Sequence, residues 1–130
     1  AIPPAKLGAA YKLEDTLLLV ENVGAKVAKE MLLTARSFSA VDALRWGLVN
    51  RVVPAKELDA TVDSFTADIT TNAPLSVKAS KILVNQAQKE NSDRDYNLCY
   101  SLIDACTNSE DIVEGRRAFA EKRPPKFTGR

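Results

Sequence analysis

Apolar residues along this chain recur mainly at helical spacing. The stretch "TLLLVENV" (16–23) predicts a short helix that Gly24 stops, and "AKVAKEMLLTAR" resumes with Val27, Ala28, Met31 and Leu32 on one face. Ser39 and Asp42 form an S-x-x-D capping signature, so a two-turn helix is expected up to Gly47, the residue best suited to a left-handed C-terminal cap. "LVNRVV" after it predicts a short strand that Pro54 closes. Trp46, just before the glycine, is expected to pack into the core.

Four more amphipathic helices are expected downstream. "KELDATVDSFTADITTNA" places Leu58, Val62, Phe65 and Ile69 on what should be one buried face. Pro74 suits the first turn of the next helix, whose inner side would carry Leu75, Ala79, Ile82, Leu83 and Ala87. "ENSDRD" is a polar break with a second S-x-x-D signature, Ser92 to Asp95. The helix after it should bury Cys99, Leu102, Ile103 and Cys106. A last helix, from about Ser109 to Arg123, carries Ile112, Val113 and Phe119 before Pro124-Pro125 ends it. So many apolar faces with so little strand predict helices that need something else to pack against.

Composition narrows the function classes. A chain of 130 residues, 45% hydrophobic and 27% charged, is a globular segment of ordinary domain size. A net charge of +1 gives no reason to expect nucleic acid or an anionic membrane as partner. The apolar run Leu17–Val20 is far short of the roughly 20 residues that span a bilayer, and no signal peptide is visible. Cys99 and Cys106 would lie two turns apart on one helix, roughly 10 Å, too far to pair. They are expected as small core residues in a reduced, cytoplasmic setting. With no histidine in the sequence, histidine-based triads and most zinc chemistry fall away, and no metal site is expected. The opening "AIPPAKLG" has no initiator Met and reads as the end of an element that begins upstream.

The order of these segments resembles the C-terminal half of the enoyl-CoA hydratase/isomerase (crotonase) family. The resemblance rests on "IPPAKLG" (2–8), "VGAKVAKEMLLTARSFSAVDALRWGLVNRVVP" (23–54), "NAPLSVKASKILV" (72–84) and "EDIVEGRRAFAEKRPPKFTG" (110–129). It implies a mainly α chain, the helical C-terminal part of a crotonase-like (ClpP/crotonase) α/β spiral fold, with at most one short strand. Residues 1–54 would be the end of the spiral core with a helix–Gly–strand return. Residues 55–130 would be a helical region for trimerisation and for covering an active site. The implied partners are an acyl-CoA substrate and further copies of the chain in a trimer or hexamer. No separate cofactor is implied, coenzyme A being part of the substrate. In the family, two peptide N–H groups from the other half cradle the thioester oxygen as it becomes an enolate. The segment alone is therefore expected not to catalyse. A non-catalytic assembly or CoA-binding module is the alternative.

Candidate chemistry is sparse. Family hydratases place a glutamate after the proline of a "P-E-x-x-x-G" turn, and here "PPAKLG" puts Pro4 at that position. Proline neither gives nor takes a proton. The position of a catalytic aspartate in some relatives corresponds to Lys12, with Glu14 and Asp15 just beyond it. Glu14 is a candidate displaced acid, or else one of two carboxylates facing a helix N-terminus. The stretch 115–130 sets Arg116, Arg117, Lys122, Arg123, Lys126 and Arg130 against Glu121 alone. It reads either as a solvated helix end with a basic tail or as a phosphate reader. By resemblance, Lys122 matches a lysine that relatives use at the nucleotide end of CoA. Ile103 stands where relatives often carry an aromatic beside that nucleotide.

Overall fold

The computed structural model describes residues Ala1–Arg130 and divides them into two compact units, Ala1–Glu57 and Leu58–Arg130. The chain is mainly helical, with no strand. No helix is long and apolar enough to cross a membrane.

In the first unit, α1 (Leu13–Thr34) is two helices joined at Gly24, whose φ of 74° and ψ of 158° lie outside helical space. Both halves face one core. Leu19, Val23, Ala28 and Met31 are buried, and Ile2, Val27, Leu32, Phe38, Trp46 and Leu48 pack around them. The break lets Leu19 and Val23 before it, and Ala28 and Met31 after it, meet in one cluster. Ahead of α1, Pro4–Leu7 forms a single 3-10 turn closed by Gly8 in the left-handed conformation. The helix α2 (Ala40–Arg45) begins with the expected capping box. Asp42 N–H donates to Ser39 Oγ at 3.0 Å, and Ser39 N–H returns a bond to Asp42 Oδ2 at 3.1 Å. The Ser39 hydroxyl also donates to Asp42 Oδ2 at 2.7 Å, and this bond foremost, followed by that from Ser39 N–H, lowers the Asp42 pKa. Gly47 follows at φ 77°. Trp46 packs as expected, its ring centroid 5.4 Å from that of Phe38.

The strand expected at "LVNRVV" is absent; residues 48–54 are bends and extended chain. A strand exists through a partner's hydrogen bonds, and this chain offers none. Val49 and Val52 accordingly remain 38% and 40% exposed.

In the second unit the helices are α3 (Leu58–Thr70), α4 (Pro74–Ala87), α5 (Tyr96–Thr107) and α6 (Glu110–Glu121). The main packing is α4 on α5, with α5 then meeting α6. Leu75, Ile82 and Leu83 of α4 are half-buried and Ala79 is fully buried, as the periodicity predicts. Ala87, however, is exposed, and Gln86 takes the inner position. Its side-chain oxygen accepts from Asp95 N–H at 2.9 Å, which satisfies a buried amide and fixes the entry to α5. Arg94 caps the other side of this corner by donating to the carbonyls of Ala87 and Lys89. The expected Ser92–Asp95 cap is not formed. Asp95 is itself the N-cap of α5 and accepts from Leu98 N–H at 2.9 Å, while Ser92 lies in a separate 3-10 turn.

Two expected core faces are not covered. Leu58, Val62, Phe65 and Ile69 of α3 are 39–54% exposed, and on α5 Ile103 is 44% exposed while Cys99, Leu102 and Cys106 are half-buried. Helical spacing identifies an amphipathic face; it does not say that the same chain supplies the cover. On α6, of the three apolar residues read from the sequence, only Ile112 is half-buried. Val113 and Phe119 are 65% and 88% exposed, whereas Asp111 and Glu114 are buried beside Ala118.

Gly24 has open space where a β-carbon would sit, so its requirement is backbone conformation and not room. The Gly24→Ala variant is expected to lose about 1–3 kcal/mol of stability, the usual penalty for a side chain in that region of φ/ψ space. Chemical denaturation of the two proteins measures it as a lowered midpoint with an unchanged slope.

Candidate functional site

The most highly organised polar cluster lies where the tail after α6 folds back along that helix. Ser109 caps α6, accepting from Ile112 N–H at 3.3 Å and donating to Cys106 C=O at 2.8 Å. Asp111 and Glu114, one turn apart on the helix, face the tail. Asp111 accepts from Thr128 N–H at 2.7 Å and from Gly129 N–H at 2.9 Å. The N–H groups of Glu110 and Asp111 in turn donate to the Arg130 carbonyl oxygen. Phe127 lies over Gly115, a ring carbon 3.5 Å from where a β-carbon would be.

Glu114 is the centre of the arrangement. Arg123 grips it with both terminal nitrogens, Nη1 to Oε1 at 2.6 Å and Nη2 to Oε2 at 3.0 Å, a fork-on-carboxylate geometry. Arg117 adds Nη2 at 2.5 Å and Nε at 3.2 Å, both to Oε2, and Lys126 N–H donates to Oε1 at 2.9 Å. Held by Arg123 first, then Arg117 and the Lys126 amide, the carboxyl titrates far below its ordinary range. Arg123 is shifted upward by the same contact and by Glu121, which accepts from its Nε at 2.6 Å. A cavity of about 600 Å³ opens beside this cluster, bordered by Glu110, Asp111, Glu114, Arg117, Arg123 and Lys126.

The cations of the basic stretch therefore divide into two sets. Arg117 and Arg123 are committed to Glu114, whereas Lys122, like Arg116, Lys126 and Arg130, is exposed and joins no ion pair. Lys122 occupies the left-handed C-cap of α6 at φ 54°, a position that favours glycine. A side chain there costs on the order of 1–2 kcal/mol of backbone energy. The bonds Lys122 N–H to Phe119 C=O (3.2 Å) and Arg123 N–H to Ala118 C=O (3.0 Å) hold the turn closed.

Of the other candidates, Ile103 is a partly exposed residue of α5, and neither it nor Lys122 borders the cavity beside Glu114. Glu14 lies in the other unit, exposed in the first turn of α1 beside Asp15, as does Lys12 at its N-cap. Pro4 opens the 3-10 turn. Glu14 thus belongs to the first unit and Ile103 and Lys122 to the second. Asp111 and Glu114 had not been singled out from the sequence. Their signal is the i, i+3, i+7 spacing with Ala118, which puts two carboxylates on an inner helical face.

Because Glu114 is lowered from an ordinary value of 4.5, its contribution is present above that pH and is lost as acid drives the pH below it. Thermal melts of the wild-type chain taken from about pH 6 down to about pH 2 should therefore fall more steeply than those of Glu114→Gln. The variant should already be the less stable at neutral pH. Parallel curves would show that Glu114 carries no such linkage.

Comparison with known proteins follows the whole length of the chain. The family model described as enoyl-CoA hydratase/isomerase matches residues 1–130. The carnitinyl-CoA dehydratase of Proteus mirabilis is 37% identical over 134 aligned residues, which cover all of this chain and 51% of that protein. That of Salmonella typhi is 35% identical with the same coverage. A crystal structure of an enoyl-CoA hydratase/isomerase family protein from Hyphomonas neptunium superposes with a TM-score of 0.85 at 35% identity, over 98% of this chain and 48% of that one. An enoyl-CoA hydratase from Bacillus anthracis gives 0.84 at 28% identity, over 97% and 49%. The chain spans about half the length of the curated relatives it matches. A match of this extent and consistency places the chain in the enoyl-CoA hydratase/isomerase family.

Proposed function

We propose that this chain is the helical, C-terminal part of an acyl-CoA-processing enzyme, and that it binds the nucleotide end of coenzyme A without turning over the thioester by itself. The observation that carries the reading is the family match over residues 1–130, at about half the length of the relatives. On this reading the substrate is an acyl-CoA, coenzyme A arrives as part of it, and the chemistry runs through an enolate. The peptide N–H groups that would stabilise that enolate belong to the half of the family fold these residues do not match. Losing one such donor alone costs about 100- to 1,000-fold in rate. Relatives named carnitinyl-CoA dehydratase put a dehydratase acting on a CoA ester among the neighbours. Pro4 at the family's acid position nonetheless favours isomerisation, decarboxylation or a role without turnover over plain hydration.

Lys122 supplies the contact to the CoA phosphates, being exposed and unpaired in a region where Arg117 and Arg123 are spent on Glu114. Ile103, also partly exposed, offers only apolar contact. Free Cys99 and Cys106 fit a reducing compartment such as the cytoplasm. Calorimetric titration should show that coenzyme A binds, that Lys122→Ala weakens it by about tenfold, the scale of one contact to a charged group, and that pantetheine, which lacks the nucleotide, binds equally to both proteins. Equal binding of coenzyme A to both would remove Lys122 from the site. Crotonyl-CoA should be left unchanged by this chain.

The uncovered face of α3 favours a second role, in assembly. Leu58, Val62 and Ile69 are each more than half exposed along one stripe, and contiguous apolar surface of this kind marks interaction sites. Further copies of the chain, as a trimer or hexamer, would cover it. Light scattering over a concentration series should give a mass above that of one chain. A monomer at every concentration would end this role.

A further inference from the structure

We infer that Glu114 is a positioning residue for Lys122: it fixes the strained helix end from which the lysine ammonium is presented. The inference rests on the reading of Lys122 as a coenzyme A contact and adds to it the group that makes the contact possible. Lys122 sits at φ 54°, where glycine would relax the turn, so the side chain is retained against a backbone preference. The next residue, Arg123, is locked by both of its terminal nitrogens to Glu114, a full turn and more back along α6. Lys126 N–H, four residues beyond Lys122, binds the same carboxylate at 2.9 Å. The chain is thus anchored to one group immediately after Lys122 and again shortly beyond it. Glu114 itself is set by Arg117 from within the helix. Only 11% of the Glu114 side chain is exposed, and all of its bonds go to Arg117, Arg123 and the Lys126 amide.

If the carboxylate is neutralised, Arg123 and the Lys126 amide lose their common anchor, the segment between the cap and the Asp111-held tail end loosens, and the ammonium loses its fixed direction although its charge is intact. The test is coenzyme A binding by calorimetry, together with amide hydrogen exchange over residues 118–128, on wild type, Glu114→Gln, Arg123→Gln and Lys122→Gly. The two variants that break the clamp should each lower coenzyme A affinity by about tenfold and speed exchange at the Lys122, Arg123 and Lys126 amides, with pantetheine binding unchanged. Lys122→Gly should lose coenzyme A affinity to the same degree yet melt at a higher temperature than wild type, a combination that a purely structural lysine would not give. If Lys122→Gly weakens binding while both clamp variants bind as wild type does, Glu114 does not position the lysine and the inference is overturned. If Lys122→Gly binds as wild type does, the reading of Lys122 fails, and the inference with it. Arg123→Gln reaches the same contact from the tail side, so a Glu114→Gln protein that fails to fold still leaves a decisive comparison.

Discussion

A carboxylate removed from water must be matched by donors, or it will not stay charged. Glu114 is matched five times over, by two arginines and a main-chain amide. Much of the second unit's polar order follows from that requirement. Arg123 is two-thirds buried against the carboxylate, and the tail turns back with the Lys126 amide on Oε1. Asp111, one turn earlier, repeats the device on Thr128 and Gly129. A short tail with few apolar residues has little hydrophobic reason to lie on a helix. Two carboxylates on the buried face provide the reason, and Phe127 over Gly115 adds the apolar contact that goes with it.

The sequence speaks clearly where a single local contact decides the structure. Gly24, Ser39 with Asp42, Gly47 and Pro74 each act within one helical turn, and each stands where the residue pattern places it. It misleads where two local solutions compete. Ser92 and Asp95 satisfy a capping pattern, but Asp95 caps the helix alone because its own oxygen reaches Leu98 N–H. It is silent where the partner lies outside the pattern. "LVNRVV" has strand composition and no strand beside it, and the α3 stripe has helical period while Leu58, Val62 and Ile69 stay more than half exposed. Asp111 and Glu114 were hidden for the opposite reason. Acids early in a helix are so commonly explained by the helix dipole that their inner-face spacing with Ala118 carries little weight until the tail is in place.

The same division explains why motif resemblance and chemistry separate in this chain. The blocks that carry the family resemblance are mostly architecture: a broken helix, a capped two-turn helix and a clamped tail. Family membership is secure because architecture is what the segment contains, and its own store of chemistry is small for the same reason. Pro4 sits in a 3-10 turn with no proton to exchange, and Glu14 is an exposed carboxylate in a first helical turn.

What the segment does hold is surface of two kinds, and they call for different occupants. Phe119 is 88% exposed on the outer side of a helix whose inner side carries carboxylates, an inversion of the usual amphipathic order. Such an inversion is stable only because Asp111 and Glu114 find their donors in the tail. With the carboxylates inside, Val113 and Phe119 face outward, as does the unpaired Lys122. The clamp and the outward face are therefore one design. Charge inside the helix–tail junction goes with apolar and cationic groups outside it, Val113, Phe119 and Lys122 all being exposed.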